Sequence, residues 1–345
     1  MVTMLLAMRA TSWVVLPEQR VSPGRSGSVR VRTWTTNPSD LVDDDEPIRF
    51  GVLESVEEQM WRRVRTEVYG GPDYAAPASL ERFEEHCKLR RAAASDDWVH
   101  VDEGKRVVYA DQQYPNLTAR AIWDVASEPR FAWIRELEAR TEDMRVEVLA
   151  RSRTLHYKTW QDPNASAPES PTNSGWGMIH LHHHKPHLDR KCPRRLFPRC
   201  VSALRDVGAP IAPRYASVAR QRAGRAIKTH TDRIPWMLTC HVPLFGPKRN
   251  AYLLVDGERC DWTPGKATVV DTTFHHSAHN DHQYDDMHLL HVDFFHPDLS
   301  RDECHALQVL HRHLGLAKTQ RKRELKPVVS RLEAAFRAAD ASRDE

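Results

Sequence analysis

The sequence predicts a mainly β core that is flanked by α-helices at both ends. Strand-like runs separated by turn residues follow one another from Tyr215 to Phe295, and short strands at this spacing are typical of a compact all-β core. Before this region apolar residues recur at helical spacing, and the charged tail from Leu299 onward is also helical in pattern. We expect the core to be a double-stranded β-helix, in which two sheets pack face to face as a jelly roll.

Composition and charge narrow the class of protein. The 345 residues are 40% hydrophobic and 28% charged, with a net charge of +3, which suits one large or two small globular domains. The near balance of basic and acidic residues gives no reason to expect a nucleic-acid partner, and no run is apolar enough to cross a bilayer. The six cysteines form no C-x-x-C pair. We therefore expect a soluble intracellular protein, cytoplasmic or organellar, with reduced thiols; its oligomeric state is left open.

The chain is expected to contain four segments. These are a leader (1–45), a helical cap (46–98), the β core (99–300) and a charged helical tail (301–345). The leader mixes Pro, Gly, Ser and Arg, and is expected to be either disordered or an organellar transit segment.

Apolar stripes locate the helices of the cap and the tail. The first helix carries apolar residues four apart, namely Val56, Met60, Val64 and Val68. Gly70 and Pro72 should end it, and Ser79 is expected to cap a second helix that runs through Cys87. The tail has a further stripe, namely Leu307, Leu310 and Leu314.

The core region is expected to contain helices as well as strands. One amphipathic helix should open at Glu128 and lie on the outside of the sheet. Its apolar face consists of Ile134, Leu137, Met144 and Val148. Residues 163–173 are rich in Pro, Ser and Asn and are expected to form an exposed loop. Trp176 then begins a strand, and residues 193–207 form another helix.

Three residues form a candidate metal site: His230, Asp232 and His276. Two imidazoles and one carboxylate on one face of an octahedron leave three positions open, which is the arrangement of non-haem Fe(II) oxygenases. Residues two apart in a strand point the same way, so the His-x-Asp pattern places two of the ligands on one face. The third has to come from another strand, and 43 residues lie between Asp232 and His276.

The ligand candidates lie within five ordered clusters. These are Ala223-Gly224-x5-His230-x-Asp232, His241-Val242-Pro243-Leu244, Trp262-x2-Gly265-Lys266, Val270-Asp271-x-Thr273-Phe274-x-His276 and Asp293-x2-His296-Pro297-Asp298-Leu299. Together they resemble the aspartyl/asparaginyl β-hydroxylase family of 2-oxoglutarate-dependent oxygenases. The resemblance implies a cupin-like double-stranded β-helix that uses Fe(II), 2-oxoglutarate and O2. It also favours His276 over His275 and His279, because the family's distal ligand follows the Phe of this motif by two residues.

The resemblance also implies where the co-substrate binds. His241 matches a family histidine that contacts a carboxylate of 2-oxoglutarate. Met287 stands where the family carries an arginine for that carboxylate, and Thr239 stands where it carries a second arginine or a threonine. We expect Lys228, on the strand face of His230, and His291, on the strand face of Met287, to substitute for the missing charge, whereas His288 should point away.

The function implied is an Fe(II)- and 2-oxoglutarate-dependent dioxygenase, an enzyme that hydroxylates an amino-acid-type substrate. The substrate is either an Asp or Asn side chain in a peptide or a small molecule. The alternative is a divergent, non-catalytic metal-binding β-barrel that has lost 2-oxoglutarate. Met287 distinguishes the two, because only the dioxygenase predicts that Met287→Arg leaves turnover unchanged or improves it.

Overall fold

The computed structural model describes residues 55–93, 97–159, 174–183 and 185–341. The predicted leader and the predicted loop at 163–173 lie outside these residues. The chain divides into two compact units, residues 1–59 and residues 60–345, and the packing described below is that of the second unit. None of the helices in the described ranges is both long and apolar enough to span a membrane.

The described ranges contain seven α-helices and thirteen strands. The helices are α1 (Val56–Tyr69), α2 (Glu81–Ala92), α3 (Ala132–Ala139), α4 (Thr141–Leu149), α5 (Pro186–Asp189), α6 (Pro198–Asp206) and α7 (Arg301–Ala341). The strands are β1 (Trp98–Val101), β2 (Arg106–Tyr109), β3 (Ile122–Trp123), β4 (Lys158–Thr159), β5 (Trp176–His183), β6 (Ile211–Gln221), β7 (Arg225–His230), β8 (Met237–Phe245), β9 (Ala251–Val255), β10 (Glu258–Asp261), β11 (Thr268–Val270), β12 (His276–Asn280) and β13 (Met287–Phe295).

Two antiparallel sheets form the core. The large sheet has the strand order β3-β11-β8-β13-β6-β5-β4, and the small sheet has the order β10-β9-β12-β7. From β6 to β13 the chain passes repeatedly from one sheet to the other, so that β6, β8, β11 and β13 lie in the large sheet and β7, β9, β10 and β12 in the small one. Eight strands distributed in this way form a jelly roll. The predicted fold class is therefore confirmed.

The large sheet is covered on both faces. Every residue of β13 is buried, and so is every residue of β8 except the last. One face packs on α3, α4 and α6 through a cluster that includes Ile134, Leu204 and Leu290. The other face meets the small sheet across a second cluster that includes Leu253 and Leu289. In β9, by contrast, buried and half-exposed residues alternate, because only one face of the small sheet is covered.

The helices differ from the predicted ones in two details. The single helix expected from Glu128 is two helices, α3 and α4, because Arg140 between them has φ −97° and ψ 4° and interrupts the helical backbone. Both helices still lie on the outside of the large sheet, as expected. Ser79 does not cap α2, because it lies inside a short 3-10 turn and Leu80 precedes the helix without a side-chain cap.

The predicted stripe of the tail is buried where α7 begins. Leu307 and Leu310 pack with Met60 and Val64 of α1 around Trp236, in a third apolar cluster. The cluster also contains Ile234 and Trp236, which belong to the loop that follows β7. The helices therefore support the segment that carries Asp232.

Candidate metal centre

The structure brings His230, Asp232 and His276 together. His230 ends β7 and His276 begins β12, and the two residues are direct partners in the small sheet. Their ring centroids are 4.2 Å apart. One ligand atom from each of the three residues lies within 4.8 Å of the others. Among the described residues this is the one group of side chains with the spacing of a metal site.

The position of Asp232 differs from the predicted one. It lies beyond the end of β7 instead of in the strand, and its N–H donates to the Thr272 carbonyl at 2.7 Å. Thr272 belongs to the turn that leads to His276. In this turn Asp271 Oδ1 accepts from the N–H of Thr273 at 2.9 Å and from its hydroxyl at 2.6 Å. The close approach of the three ligand candidates therefore results from contact between two loops, and strand alternation alone does not produce it.

Both imidazoles are oriented for metal binding through Nε2. Nδ1 of His230 is 2.8 Å from the Lys228 carbonyl, and Nδ1 of His276 is 3.0 Å from the Phe274 carbonyl. A carbonyl can only accept, so each Nδ1 carries the proton and each Nε2 keeps its lone pair. Burial also lowers the pKa of His276 to about 4, which keeps the ring neutral. The three side chains thus fit a divalent metal ion.

Arg214 is bound to the carboxylate of this group. Its Nη1 lies 2.7 Å from Asp232 Oδ2, and its Nε lies 3.4 Å from Asp293 Oδ2. Burial opposes ionisation of Asp232, but Arg214 and the neighbouring His276 outweigh it and hold the carboxyl pKa below its ordinary value. Asp232 is therefore an anion, and one of its two oxygens is already engaged.

A pocket opens beside the three residues. Its volume is about 60 Å³. It is lined by Trp176, Met178, Arg214, Tyr215, Ile227, His230, Asp232, Thr239, His241, Leu253, Val270, Thr272, His276, Ala278 and His291. Apolar side chains from both sheets form most of this wall. Among the residues that line it, Arg214 is the one with a permanent positive charge.

Two of the predicted co-substrate residues, His241 and His291, line this pocket. They are direct cross-strand partners on β8 and β13, and His241 Nε2 lies 2.9 Å from His291 Nδ1. Burial lowers the pKa of His241 well below its ordinary value, so this ring is neutral. His288 points to the other side of the sheet, as expected, where it stacks on Phe245 with ring centroids 4.4 Å apart.

Lys228 does not lie with them. It is exposed and does not line the pocket. The pairing of β7 with β12 is irregular here: His230 pairs with His276 and Ile227 with Ala278, so two residues of β7 oppose the single Ser277. Such a bulge breaks the alternation of faces. The expectation that Lys228 shares the face of His230 is therefore wrong.

Met287 is fully buried among apolar residues between the sheets. Gly246 passes close to it with φ +143°, and a Cβ atom at Gly246 would lie 2.8 Å from the Met287 Cα. This tight packing fills the position at which the resembled family carries an arginine. A positive charge is instead supplied by Arg214, which lines the pocket.

Arg214 was not among the residues predicted for the site. It precedes Tyr215 in β6, and regular alternation would send the two side chains to opposite faces. Both nevertheless line the pocket, because the pairing of β6 with β13 shifts between Ala216, which faces Val292, and Ile211, which faces Phe294. Arg214 precedes the region that was predicted to be rich in strands, which begins at Tyr215, so no pattern in the sequence marked it as a pocket residue.

The hairpin of β1 and β2, outside the two sheets, contacts both loops beside the ligand candidates. Tyr109 of β2 donates its N–H to the Arg233 carbonyl at 2.9 Å, and Val107 donates to the Thr273 carbonyl at 3.0 Å. Arg233, the neighbour of Asp232, has the left-handed φ of 64°. Its guanidinium lies 5.2 Å from the ring centroid of Trp98 and 5.3 Å from that of Tyr109. The hairpin therefore holds a strained backbone conformation next to a ligand candidate.

A protein family matches the part of the chain that carries these residues. Residues 138–297 match the family model described as aspartyl/asparaginyl beta-hydroxylase. The resemblance seen in the sequence is thus confirmed over these residues, which contain all three ligand candidates as well as Arg214, His241 and His291. The family is one of hydroxylases. No curated protein is significantly similar to the chain.

Several solved structures are also similar to parts of this chain. An oxidoreductase of the 2OG-Fe(II) oxygenase family from Burkholderia pseudomallei is 11% identical, with a TM-score of 0.32 over 51% of this chain and 96% of its own. A prolyl hydroxylase from Trichoplax adhaerens, in complex with a hypoxia inducible factor peptide fragment, is 13% identical, with a TM-score of 0.32 over 46% and 79%. A Pseudomonas putida prolyl-4-hydroxylase is 9% identical, with a TM-score of 0.28 over 46% and 87%. The jelly-roll fold of this chain is evident from its strand order.

Proposed function

We propose that this protein is an Fe(II)- and 2-oxoglutarate-dependent dioxygenase that hydroxylates an amino-acid-type substrate, either an Asp or Asn side chain or a small molecule. The observation that carries the proposal is the convergence of His230, Asp232 and His276, with both imidazoles in the tautomer that leaves Nε2 for a metal. Bound Fe(II) would supply O2 activation coupled to oxidation of 2-oxoglutarate.

The chain's own residues would bind and orient the reactants. His230, Asp232 and His276 would hold the ion beside the pocket. Arg214 engages Asp232 Oδ2, which fixes the orientation of the carboxylate and leaves Oδ1 for the ion. Its guanidinium is also the charge in the pocket wall that suits a carboxylate of 2-oxoglutarate. The apolar wall, with Ile227, Leu253 and Val270, would exclude water from the site.

The test is an anaerobic Fe(II) titration with and without 2-oxoglutarate, which monitors the weak visible charge-transfer band of the chelate. We expect the band in the wild type and in His275→Ala, because His275 is exposed and points away from the pocket. We expect no band in His276→Ala, which loses a ligand. The proposal is wrong if saturating 2-oxoglutarate produces no band in the wild type.

A second candidate function is a divergent metal-binding β-barrel that does not use 2-oxoglutarate. Met287 favours it, because this buried methionine removes the usual cation. In that case Fe(II) would bind to the wild type and be lost in His276→Ala, but 2-oxoglutarate would change neither the affinity for Fe(II) nor the visible spectrum.

A further inference from the structure

One residue of the β1–β2 hairpin, Arg106, is buried beside the turn that leads to His276. Only 8% of Arg106 is exposed. Its backbone pairs with that of Phe274 in an isolated antiparallel bridge, and its guanidinium lies 6.0 Å from the centroid of the Phe274 ring. Arg106 also precedes residues 138–297, the part of the chain that matches the family. The hairpin therefore brings a cation from outside the matched region to this turn.

Arg106 faces the carboxylate of Asp271, the first residue of the turn. Its Nη1 lies 3.5 Å from Asp271 Oδ2, and the Asp271 side chain is completely buried. Neither of these two atoms has a hydrogen-bond partner among the described residues, and both are buried. No other cation in the described part of the chain lies within ion-pair distance of Asp271. Arg106 is thus the counter-charge of a carboxylate that has no access to solvent.

The other oxygen of Asp271 fixes the conformation of the turn. Oδ1 accepts from the N–H and the hydroxyl of Thr273. Burial raises the pKa of Asp271 to about 6, and the bonds from Thr273 and the charge of Arg106 oppose this rise. Without Arg106 the carboxylate would be buried without a counter-charge, so it would have to take up a proton or move towards solvent. Either change weakens the bonds to Thr273, because an ionised acceptor binds more strongly than a neutral one.

Two carbonyl groups of the same turn contact the ligand candidates. The Thr272 carbonyl accepts from the N–H of Asp232 at 2.7 Å. The Phe274 carbonyl lies 3.0 Å from His276 Nδ1 and accepts its proton, which leaves Nε2 for the ion. The positions of Asp232 and His276 therefore depend on the conformation of one turn.

We propose that Arg106 is a positioning residue of the metal centre, which holds the turn from Asp271 to Phe274 in the conformation that presents His276 and Asp232 to the ion. Arg106 touches neither the ion nor the substrate, and it acts through Asp271. The proposal rests on the proposed function in that it concerns the ion held by the same three ligand candidates.

The experiment that tests it measures the affinity for Co(II) alone, by competition with a chromophoric chelator at pH 8. We expect Arg106→Gln and Asp271→Asn each to bind Co(II) about tenfold more weakly than the wild type, as is typical when a residue that supports a metal ligand is lost. Asp102→Asn is the matched control. It removes the other carboxylate that accepts from Arg106, which is 44% exposed, and it should bind Co(II) as the wild type does.

The double variant Arg106→Gln/Asp271→Asn separates positioning from general destabilisation. Two neutral amides then replace the ion pair, and the introduced asparagine can still accept from Thr273. We expect the affinity to return to within about threefold of the wild type, because no buried charge is left unpaired. A double variant that binds Co(II) no better than Arg106→Gln would overturn the proposal.

Urea unfolding of each variant provides the second measurement. If Arg106→Gln is folded and less stable but binds Co(II) as the wild type does, its role is structural only and the proposal is wrong. If Arg106→Gln does not fold, Asp271→Asn decides, and wild-type affinity for Co(II) in that variant would overturn the proposal.

The outcome is separable from that of the proposed function, because Co(II) binding requires neither 2-oxoglutarate nor O2. A missing charge-transfer band, together with weaker Co(II) binding in Arg106→Gln, would refute the dioxygenase alone. The band, together with unchanged Co(II) binding in Arg106→Gln, would refute the role of Arg106 alone. A wild type that binds no Co(II) would refute both.

Discussion

Arg214 Nη1 lies 2.7 Å from Asp232 Oδ2, so a permanent cation binds the carboxylate of the candidate metal site directly. The same guanidinium approaches Asp293, which begins a chain of side-chain contacts through His291 to His241. Arg214 thus connects the ligand side of the pocket with its polar wall. It stands between the carboxyl groups of Asp232 and Asp293, and a divalent ion at the three ligand candidates would add two positive charges beside it. The pocket should therefore attract carboxylates only once it holds the metal.

The first prediction concerns Arg214 itself. Arg214→Met should weaken 2-oxoglutarate binding by about 10- to 100-fold, because one charge-assisted hydrogen-bonding group is lost. Arg214→Lys should retain part of the affinity, since it keeps the charge but loses the planar fork. Lys228→Ala is the matched control and should bind normally, because Lys228 is exposed outside the pocket. Anaerobic titration of the charge-transfer band measures all three. Equal affinity in Arg214→Met and wild type would contradict the prediction.

The second prediction concerns the hairpin that holds Arg233. Trp98→Ala should lower the affinity for Co(II), used as a spectroscopic probe, by about tenfold, because the loop that carries Asp232 loses one aromatic support. Tyr74 is a suitable control, since it is 63% exposed and distant in sequence from both ligand loops. We expect Tyr74→Ala to bind Co(II) as the wild type does. An unchanged affinity in Trp98→Ala would mean that Tyr109 and the backbone bonds are sufficient.

The third prediction revises the role expected for Met287. Met287→Arg should destabilise the protein by about 3 kcal/mol or more, because the side chain is fully buried between apolar residues and a buried unpaired charge is costly. Met287→Leu should cost less than about 1.5 kcal/mol. Urea unfolding of both variants measures the difference. A stable Met287→Arg with tighter 2-oxoglutarate binding would instead restore the expectation drawn from the family.

The fourth prediction is a dependence of stability on pH. Burial lowers the pKa of His86 from 6.5 to about 4, and its Nδ1–H donates to the Gln113 carbonyl at 2.6 Å. A histidine with a lowered folded pKa contributes stability that is complete above pH 6.5 and is lost as the pH falls towards 4. The shift corresponds to about 3 kcal/mol.

Unfolding free energies measured at several pH values in this range check it. The decrease with falling pH should be smaller in His86→Gln than in the wild type. It should be unchanged in His305→Gln, since His305 is an exposed residue of α7. Parallel curves for His86→Gln and the wild type would show that His86 does not titrate in the folded protein as expected.

The sequence by itself determined the fold class and the identity of the metal-ligand candidates. Turn residues and alternating strands predict a jelly roll because each strand has to bury one face. This requirement determines the spacing of apolar residues along each strand. The ligands could be named because the ordered clusters around His230, Asp232 and His276 resemble a known family. Amphipathic helices could be located because their apolar residues recur at helical spacing. The break at Arg140, by contrast, depends on the backbone conformation of one residue.

Only the tertiary structure shows which charged side chains line the pocket. Strand alternation assigns one face to each residue, but register shifts in β6 and β7 interrupt this alternation. As a result Arg214 lines the pocket and Lys228 lies outside it. The polar chain from Asp293 to His241 joins two strands that are far apart in sequence, so no local pattern could indicate it. Register and bulges arise from the fit of whole sheets to each other, and the chemistry of the pocket wall follows from that fit.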